Sequence, residues 1–396
     1  MRWPFGKVRS GARGQLIDDR FLVDTGLLWT AFALLGIGMI MLTSASLAVA
    51  DRTLGQPYYY VSRQAIFMAL GLAAGFVATR LPLALAERYG IAAMLAAIVL
   101  LVIVLIPGIG KEVNGSTRWL SFGFFNLQPS EFAKLFTVIF LAGYLVRRGD
   151  ELRNERFGFA KPIGLLAVLG LLLLLEPDFG TFAVLTATAM GMLFLAGARL
   201  WQFGVLVALV VLALAVLAVS SPYRIARITA FLDPWADPFA SGFQLTQALI
   251  AFGRGEWFGV GLGSSIQKLF YLPEAHTDFL MSVLGEELGL LGTLTVITLF
   301  TLLVVRAFLI GRRAEHAQKT FGAYLAYGIG IWLGLQAFVN IGVNMGLLPT
   351  KGLTLPLMSY GGSSLIVSCI AVGLLLRINH ETRMALVRRI GKENPW

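Results

Sequence analysis

The chain has 396 residues, 57% of them hydrophobic and only 14% charged, whereas a soluble domain is about a quarter charged. It therefore reads as an integral membrane protein. One cysteine, Cys369, excludes an intrachain disulfide or a cysteine metal cluster, and the scattered His276, His316 and His380 exclude a histidine-built zinc site.

Residues 1–24 form a polar, basic tail, and an apolar run follows. Ala48-Val49-Ala50 resembles a signal-peptidase site, but the run before it exceeds the ~7–15 residues of a secretory core, so an uncleaved first span is expected. A membrane helix needs about 20 mostly apolar residues. Ten stretches qualify, near 25–48, 59–79, 89–107, 130–147, 162–176, 181–197, 203–221, 279–305, 321–346 and 360–377. The expected fold is all-α, a ten-helix membrane domain over 25–377, with a tail at 378–396. Glu176-Pro177-Asp178-Phe179-Gly180 predicts a tight turn between the fifth and sixth helices. The longest gap, 222–278, separates helices 7 and 8.

Lys and Arg set the orientation. Gaps on the side of the N-terminus hold 22 of the 32, and the opposite gaps hold 9, with Lys134 inside a span. Both termini are thus expected in the cytoplasm, with the 222–278 loop outside. The net charge of +10 follows from this bias and from attraction to anionic lipid, not from nucleic-acid binding.

Asn114-Gly115-Ser116-Thr117-Arg118-Trp119-Leu120 lies in an outer loop, where Arg118 suits either phosphate or an interfacial anchor. Glu131 and Lys134 are three apart, the spacing of an intrahelical pair. Gly259-Val260-Gly261-Leu262-Gly263 lacks the dinucleotide-loop spacing and its strand–helix–strand setting. An amphipathic helix and turn resting on the membrane is expected around Gln244 to Gly263.

Glu274, His276 and Asp278 stand together where the chain re-enters an apolar run. A carboxylate there suits a helix N-terminus, and at helical spacing Asp278, Ser282 and Glu286 share a face. Glu286 and Glu287 lie about two turns into the span, where function or internal pairing is expected of them. Gln336, Asn340 and Asn344 form a polar stripe, for which interhelical hydrogen bonding is the economical reading. Pro349 and Pro356 bracket a stiff loop bearing Lys351, a fit for a lipid phosphate. Ser359 to Ser364, with Ser363 among them, starts the last span.

Six runs in order, NGSTRWL (114–120), QPSEFAKL (128–135), EPDFGT (176–181), DPWADPFASGFQLTQAL (233–249), GLGSSIQKLFYLPEAHTDF (261–279) and PTKGLTLPLMSYGGSS (349–364), resemble the SEDS family of shape, elongation, division and sporulation proteins. PTKG with Leu357-Met358-Ser359-Tyr360 is closer to its division branch. The resemblance implies ten helices with cytoplasmic termini. It implies a peptidoglycan glycosyltransferase in the inner membrane at the septum, acting on lipid II with a class B penicillin-binding protein and other division proteins. It implies an essential aspartate at Asp278 and a sensitive lysine at Lys351.

Asp278 is the expected general base, with Lys351, Arg118 and Lys268 as candidates for the pyrophosphate. His276 and Glu274 are further candidate substrate contacts, and Glu131, Lys134, Glu286, Asn340 and Ser363 candidate supporting residues. A divalent cation, Mg or Mn, is compatible with this chemistry, although no metal motif is readable. Two rival readings are a lipid II flippase, which would use Glu131, Lys134, Glu286 and Asn340 across the bilayer, and a non-catalytic division scaffold.

Overall fold

The computed structural model describes residues 23–113, 116–123, 125–154, 160–198, 201, 204, 207–208, 212, 231–240, 242–350 and 352–393. The chain forms, in order, α1 (Thr25–Leu54), α2 (Tyr59–Arg80), α3 (Leu83–Arg88), α4 (Gly90–Leu105), β1 (Gly110–Val113), β2 (Ser116–Ser121), β3 (Asn126–Leu127), α5 (Pro129–Asn154), α6 (Ala160–Leu175), α7 (Phe179–Leu195), α8 (Phe243–Gly255), α9 (Leu280–His316), α10 (Thr320–Asn344) and α11 (Gly362–Glu393). Six of these, α1, α2, α5, α9, α10 and α11, are long and apolar enough to cross a membrane, and α4, α6 and α7 are shorter apolar helices. The expected seventh span, near 203–221, falls almost wholly outside the described residues.

α1 runs through Ala48 to Leu54 with Ala50 buried, so the signal-peptidase-like triplet lies inside a helix. Asp24 caps this helix by accepting from Leu27 N at 2.9 Å. The same carboxylate pairs with Arg306 and Arg313 near the far end of α9, at 3.7 and 3.6 Å. α2 packs along α11 at small residues: a Cβ on Gly373 would sit 2.2 Å from Gly75 O.

The all-α expectation is corrected between α4 and α5. There β1, β2 and β3 form a small antiparallel sheet, with Lys111 opposite Trp119 and Leu120 opposite Leu127. The strands are two to six residues long, too short for alternation to stand out in sequence. The sheet fixes where Arg118, on β2, is presented.

α9 is broken at Gly289, whose φ of 65° and ψ of −159° are essentially open to glycine alone. The backbone groups around the break are satisfied by the turn that follows α8. Val260 N and Gly261 N donate to Glu286 O and Glu287 O at 3.0 and 3.1 Å, while Leu290 N and Leu291 N donate to Glu256 O and Trp257 O at 2.9 and 3.2 Å. Within a membrane, irregular backbone is tolerated where protein supplies such partners. The amphipathic helix expected near 244–263 is α8, and it packs on the first part of α9, where a Cβ on Gly285 would lie 2.4 Å from the Phe252 ring. The contact is close enough that a Cβ on Gly255 would lie 1.9 Å from Gly285 O.

Gly289→Ala and Gly255→Ala should each lower the melting temperature of the purified protein in detergent, the first by adding about 1–3 kcal/mol of backbone strain. Gly253→Ala, whose added methyl would meet nothing within 4 Å, should melt as the wild type does.

Candidate active site

The site is assembled on the polar stripe of α10. Gln336, Asn340 and Asn344 follow one another at four-residue spacing, and all three are buried. The expected interhelical bonds are present: Gln336 Oε1 accepts from Lys134 Nζ of α5 at 2.7 Å, and Asn344 Oδ1 accepts from Ser282 Oγ of α9 at 2.7 Å. The stripe also holds two loops. Asn340 Nδ2 donates to Asp278 O at 2.9 Å and to Leu353 O at 2.5 Å. Asn344 Nδ2 donates to the same Asp278 oxygen at 2.9 Å, and Gln336 Nε2 to Thr354 O at 2.9 Å. One row of amides therefore fixes the segment ending in Asp278 beside the segment that follows Lys351. Lys351 itself lies outside the described residues.

Asp278 precedes α9 and does not cap it: the helix starts at Leu280, with Phe279 at its cap position and no side-chain cap bond. The shared face expected with Ser282 and Glu286 is also corrected. Ser282 turns to Asn344, and Glu286 turns to the 254–267 segment. The Asp278 side chain is left facing Gly352, where a Cβ would lie 3.1 Å from Oδ2. Burial and then nearby Glu274 push the Asp278 carboxyl up to about 7, with Arg118 opposing and Asp178 adding to the rise.

Arg118 reaches across from β2 to the α6–α7 turn, donating from Nε to Glu176 O at 3.2 Å and from Nη2 to Pro177 O at 2.6 Å. The predicted turn is present, because α6 ends at Leu175 and α7 begins at Phe179. Asp178 caps α7 through Thr181 N at 3.2 Å and accepts from Ser130 Oγ at 3.0 Å. Gln128 donates from Nε2 to Ser130 Oγ at 3.1 Å and from its main-chain N to Ser363 Oγ at 3.0 Å. Ser363 thus ties the start of α11 to the start of α5. Sequence reasoning read Glu176 and Asp178 only as turn formers; two acids flanking a proline between spans were the available signal.

His276, a candidate substrate contact, is packed between two tyrosines. Its ring lies 4.5 Å from Tyr60 and 5.8 Å from Tyr360, and its carbonyl accepts from Tyr360 N at 3.0 Å. Burial holds its pKa below the ordinary value against the pull of Glu274, so the ring is neutral at pH 7. Glu274 is exposed and accepts from Thr277 Oγ1 at 2.7 Å.

The other charged candidates are internally paired. Lys134 meets Glu131 at 2.8 Å. Glu286 accepts from Arg254 Nη1 and Ile266 N at 3.0 Å and from Ser265 Oγ. Lys268, expected to face phosphate, is buried with its ammonium 2.7 Å from Glu287 and 2.8 Å from Ser44 Oγ. A charge so desolvated is held by its partner, so Lys268 fastens the loop to α9. Among the described residues, no three His, Cys, Asp or Glu are grouped to hold a metal ion.

Comparison with known proteins gives one consistent answer. The family model for FtsW, RodA and SpoVE, described as cell cycle proteins, matches residues 25–384. The chain is 63% identical over 366 residues to a probable peptidoglycan glycosyltransferase FtsW of Nitrosococcus halophilus, covering 92% of this chain and 94% of that one. It is 59% identical over 381 residues to the protein of the same description in Thioalkalivibrio sulfidiphilus, covering 96% and 95%. Among solved structures it resembles a chain of a peptidoglycan synthase complex, studied for the coordination of polymerization and crosslinking, with TM-score 0.73, 30% identity and coverage of 91% and 98%. The rod shape determining protein RodA of Thermus thermophilus is similar at TM-score 0.68 and 28% identity, covering 91% and 97%.

The raised Asp278 pKa has a consequence for stability. A carboxyl whose folded pKa lies above its unfolded value penalises folding as it ionises, from about pH 4 upward and in full above about 7. Asp278→Asn should therefore melt at a higher temperature than the wild type at pH 8. The gap should shrink as pH falls through 7 and close below about 4, as read by thermal unfolding across pH.

Proposed function

Because the chain belongs to the FtsW, RodA and SpoVE family of cell cycle proteins, we propose that its chemistry centres on Asp278 acting as general base. The protein is a multi-pass membrane peptidoglycan glycosyltransferase. Its acceptor is lipid II, and its donor is a glycan carried on undecaprenyl pyrophosphate. It works at the division septum with a class B penicillin-binding protein. The observation that carries the reading is the joint anchoring of Asp278 and the 352–354 segment by Asn340 and Gln336.

The acceptor hydroxyl gives its proton to Asp278 as its oxygen bonds to the anomeric carbon of the donor. The bond from that carbon to the pyrophosphate breaks, and the leaving group keeps the electron pair. Attack from the opposite face inverts the centre, so an α-linked donor yields a β-linked strand. A base pKa near the working pH is what such a transfer requires. Arg118 and Lys351 balance the charge that grows on the pyrophosphate, while the lipid tails, held in the bilayer, limit the encounter to the right depth. His276, neutral between two tyrosines, supplies a flat apolar wall with a polar edge for sugar.

The orientation follows from the 22 Lys and Arg on one side and 9 on the other. The ten-helix count includes a seventh span near 203–221. On this topology the Asp278 end faces away from the cytoplasm, where lipid-linked precursor is polymerised. The flippase alternative loses support because the Lys134 ammonium is held inside the bundle by Glu131 and Gln336.

Purified with its partner and given labelled lipid II, Asp278→Asn and Asp278→Ala should lose polymerisation by about 10²–10⁴-fold. Retained polymerisation by a well-folded variant would sink the base assignment. Lys351→Ala should lose about 10²–10³-fold; an unchanged rate removes it from the phosphate role.

A further inference from the structure

Beyond the Asp278 loop, the described acid least suited to carry a charge is Glu176. It sits in the turn between α6 and α7 with 0% of its surface exposed. Neither of its carboxyl oxygens has a hydrogen-bond partner among the described residues. Asp178, two residues on, is satisfied by Thr181 N and Ser130 Oγ. Arg118 lies over the same turn, yet it donates to the main-chain oxygens of Glu176 and Pro177 and not to the Glu176 carboxyl. An ionised carboxylate buried without a donor is costly, and a group so placed keeps its proton.

The charged neighbours make the consequence specific. Arg118 favours the ionised form of both Glu176 and Asp278, and Asp178 disfavours it in both; Glu274 faces Asp278 from its own loop. One guanidinium thus serves several acids. We propose that Glu176 is a positioning residue that stays protonated during turnover, so that Arg118 remains available to Asp278 and to the departing pyrophosphate. Were Glu176 to ionise, the guanidinium already resting on its main-chain oxygen would close onto the carboxylate instead. Burial, with Asp178 beside it, pushes the Glu176 carboxyl up to about 9 against the pull of Arg118. Asp278, at about 7, is therefore a free base while Glu176 is still neutral. This inference rests on the reading of Asp278 as the base.

The test uses the full chain with its class B partner in liposomes and labelled lipid II, with each profile scaled to its own maximum. The wild-type rate should fall near pH 9. In Glu176→Gln, which mimics the protonated acid, that fall should move up by about one pH unit or more or disappear. Glu176→Gln should also retain at least about tenfold more rate than Glu176→Ala at pH 7.5. An alkaline fall unchanged in Glu176→Gln, or equal rates in the two variants, overturns the proposal. Infrared difference spectra of wild type against Glu176→Gln at pH 7.5, without substrate, should show a protonated carboxyl lost in the variant; no such band also overturns it. The infrared measurement needs no turnover, so failure here is distinguishable from failure of the base assignment, which Asp278→Asn reports.

Discussion

Everything at the working end of this protein depends on where two amide side chains of α10 direct their hydrogens. Asn340 donates at once to the carbonyl of Asp278 and to that of Leu353, and Asn344 donates again to Asp278. The two loops also meet through Tyr360 N, which donates to His276 O, but the amides are what reach Asp278 and Leu353 themselves. Buried carbonyls must find donors, and the stripe supplies them at a spacing that only a helix holds constant. A transmembrane helix thus serves as a ruler for two segments far apart in sequence.

The remaining buried charges divide by whether they have partners. Glu131 and Lys134 form an ion pair within α5, while Glu287 with Lys268, Glu286 with Arg254, and Asp24 with Arg306 and Arg313 are ion pairs that join helices or fasten a loop to one. The clasp at Glu286 and Glu287 lies beside the break at Gly289, so the short leading piece of α9 is held by the 254–268 segment as well as by its own span. Asp278 and Glu176 differ from these pairs. Among the described residues neither forms an ion pair within hydrogen-bond range, and each has its pKa raised by burial. Unpaired acids with shifted pKa values mark chemistry more often than paired ones do.

Much of this was legible in the sequence. Apolar runs of about 20 residues announce their helices regardless of packing, and Glu131 and Lys134 declared their pairing by spacing alone. The stripe at 336, 340 and 344 was visible as polarity, but its partners were not, since a sequence does not tell an amide which carbonyl lies opposite. For the same reason Lys268 read as free cation until Glu287 and Ser44 were found against it. The small sheet carrying Arg118 was hidden because its strands are short and their pairing is set by neighbours. Glu176 was hidden by its setting: beside Pro177 it looked like a turn residue at a surface, and burial is a property of the fold.

The most direct test of the stripe as the organiser of the site is the polymerisation rate of Asn340→Ala per folded molecule, with partner and lipid II supplied. Asn340 touches no reacting atom, so a change there reports the placement of Asp278 and the lysine loop alone. Misplacement of reacting groups by about 1 Å costs on the order of 10²-fold, and a loss of that size in kcat is expected. A folded Asn340→Ala protein that polymerises at the wild-type rate would contradict it.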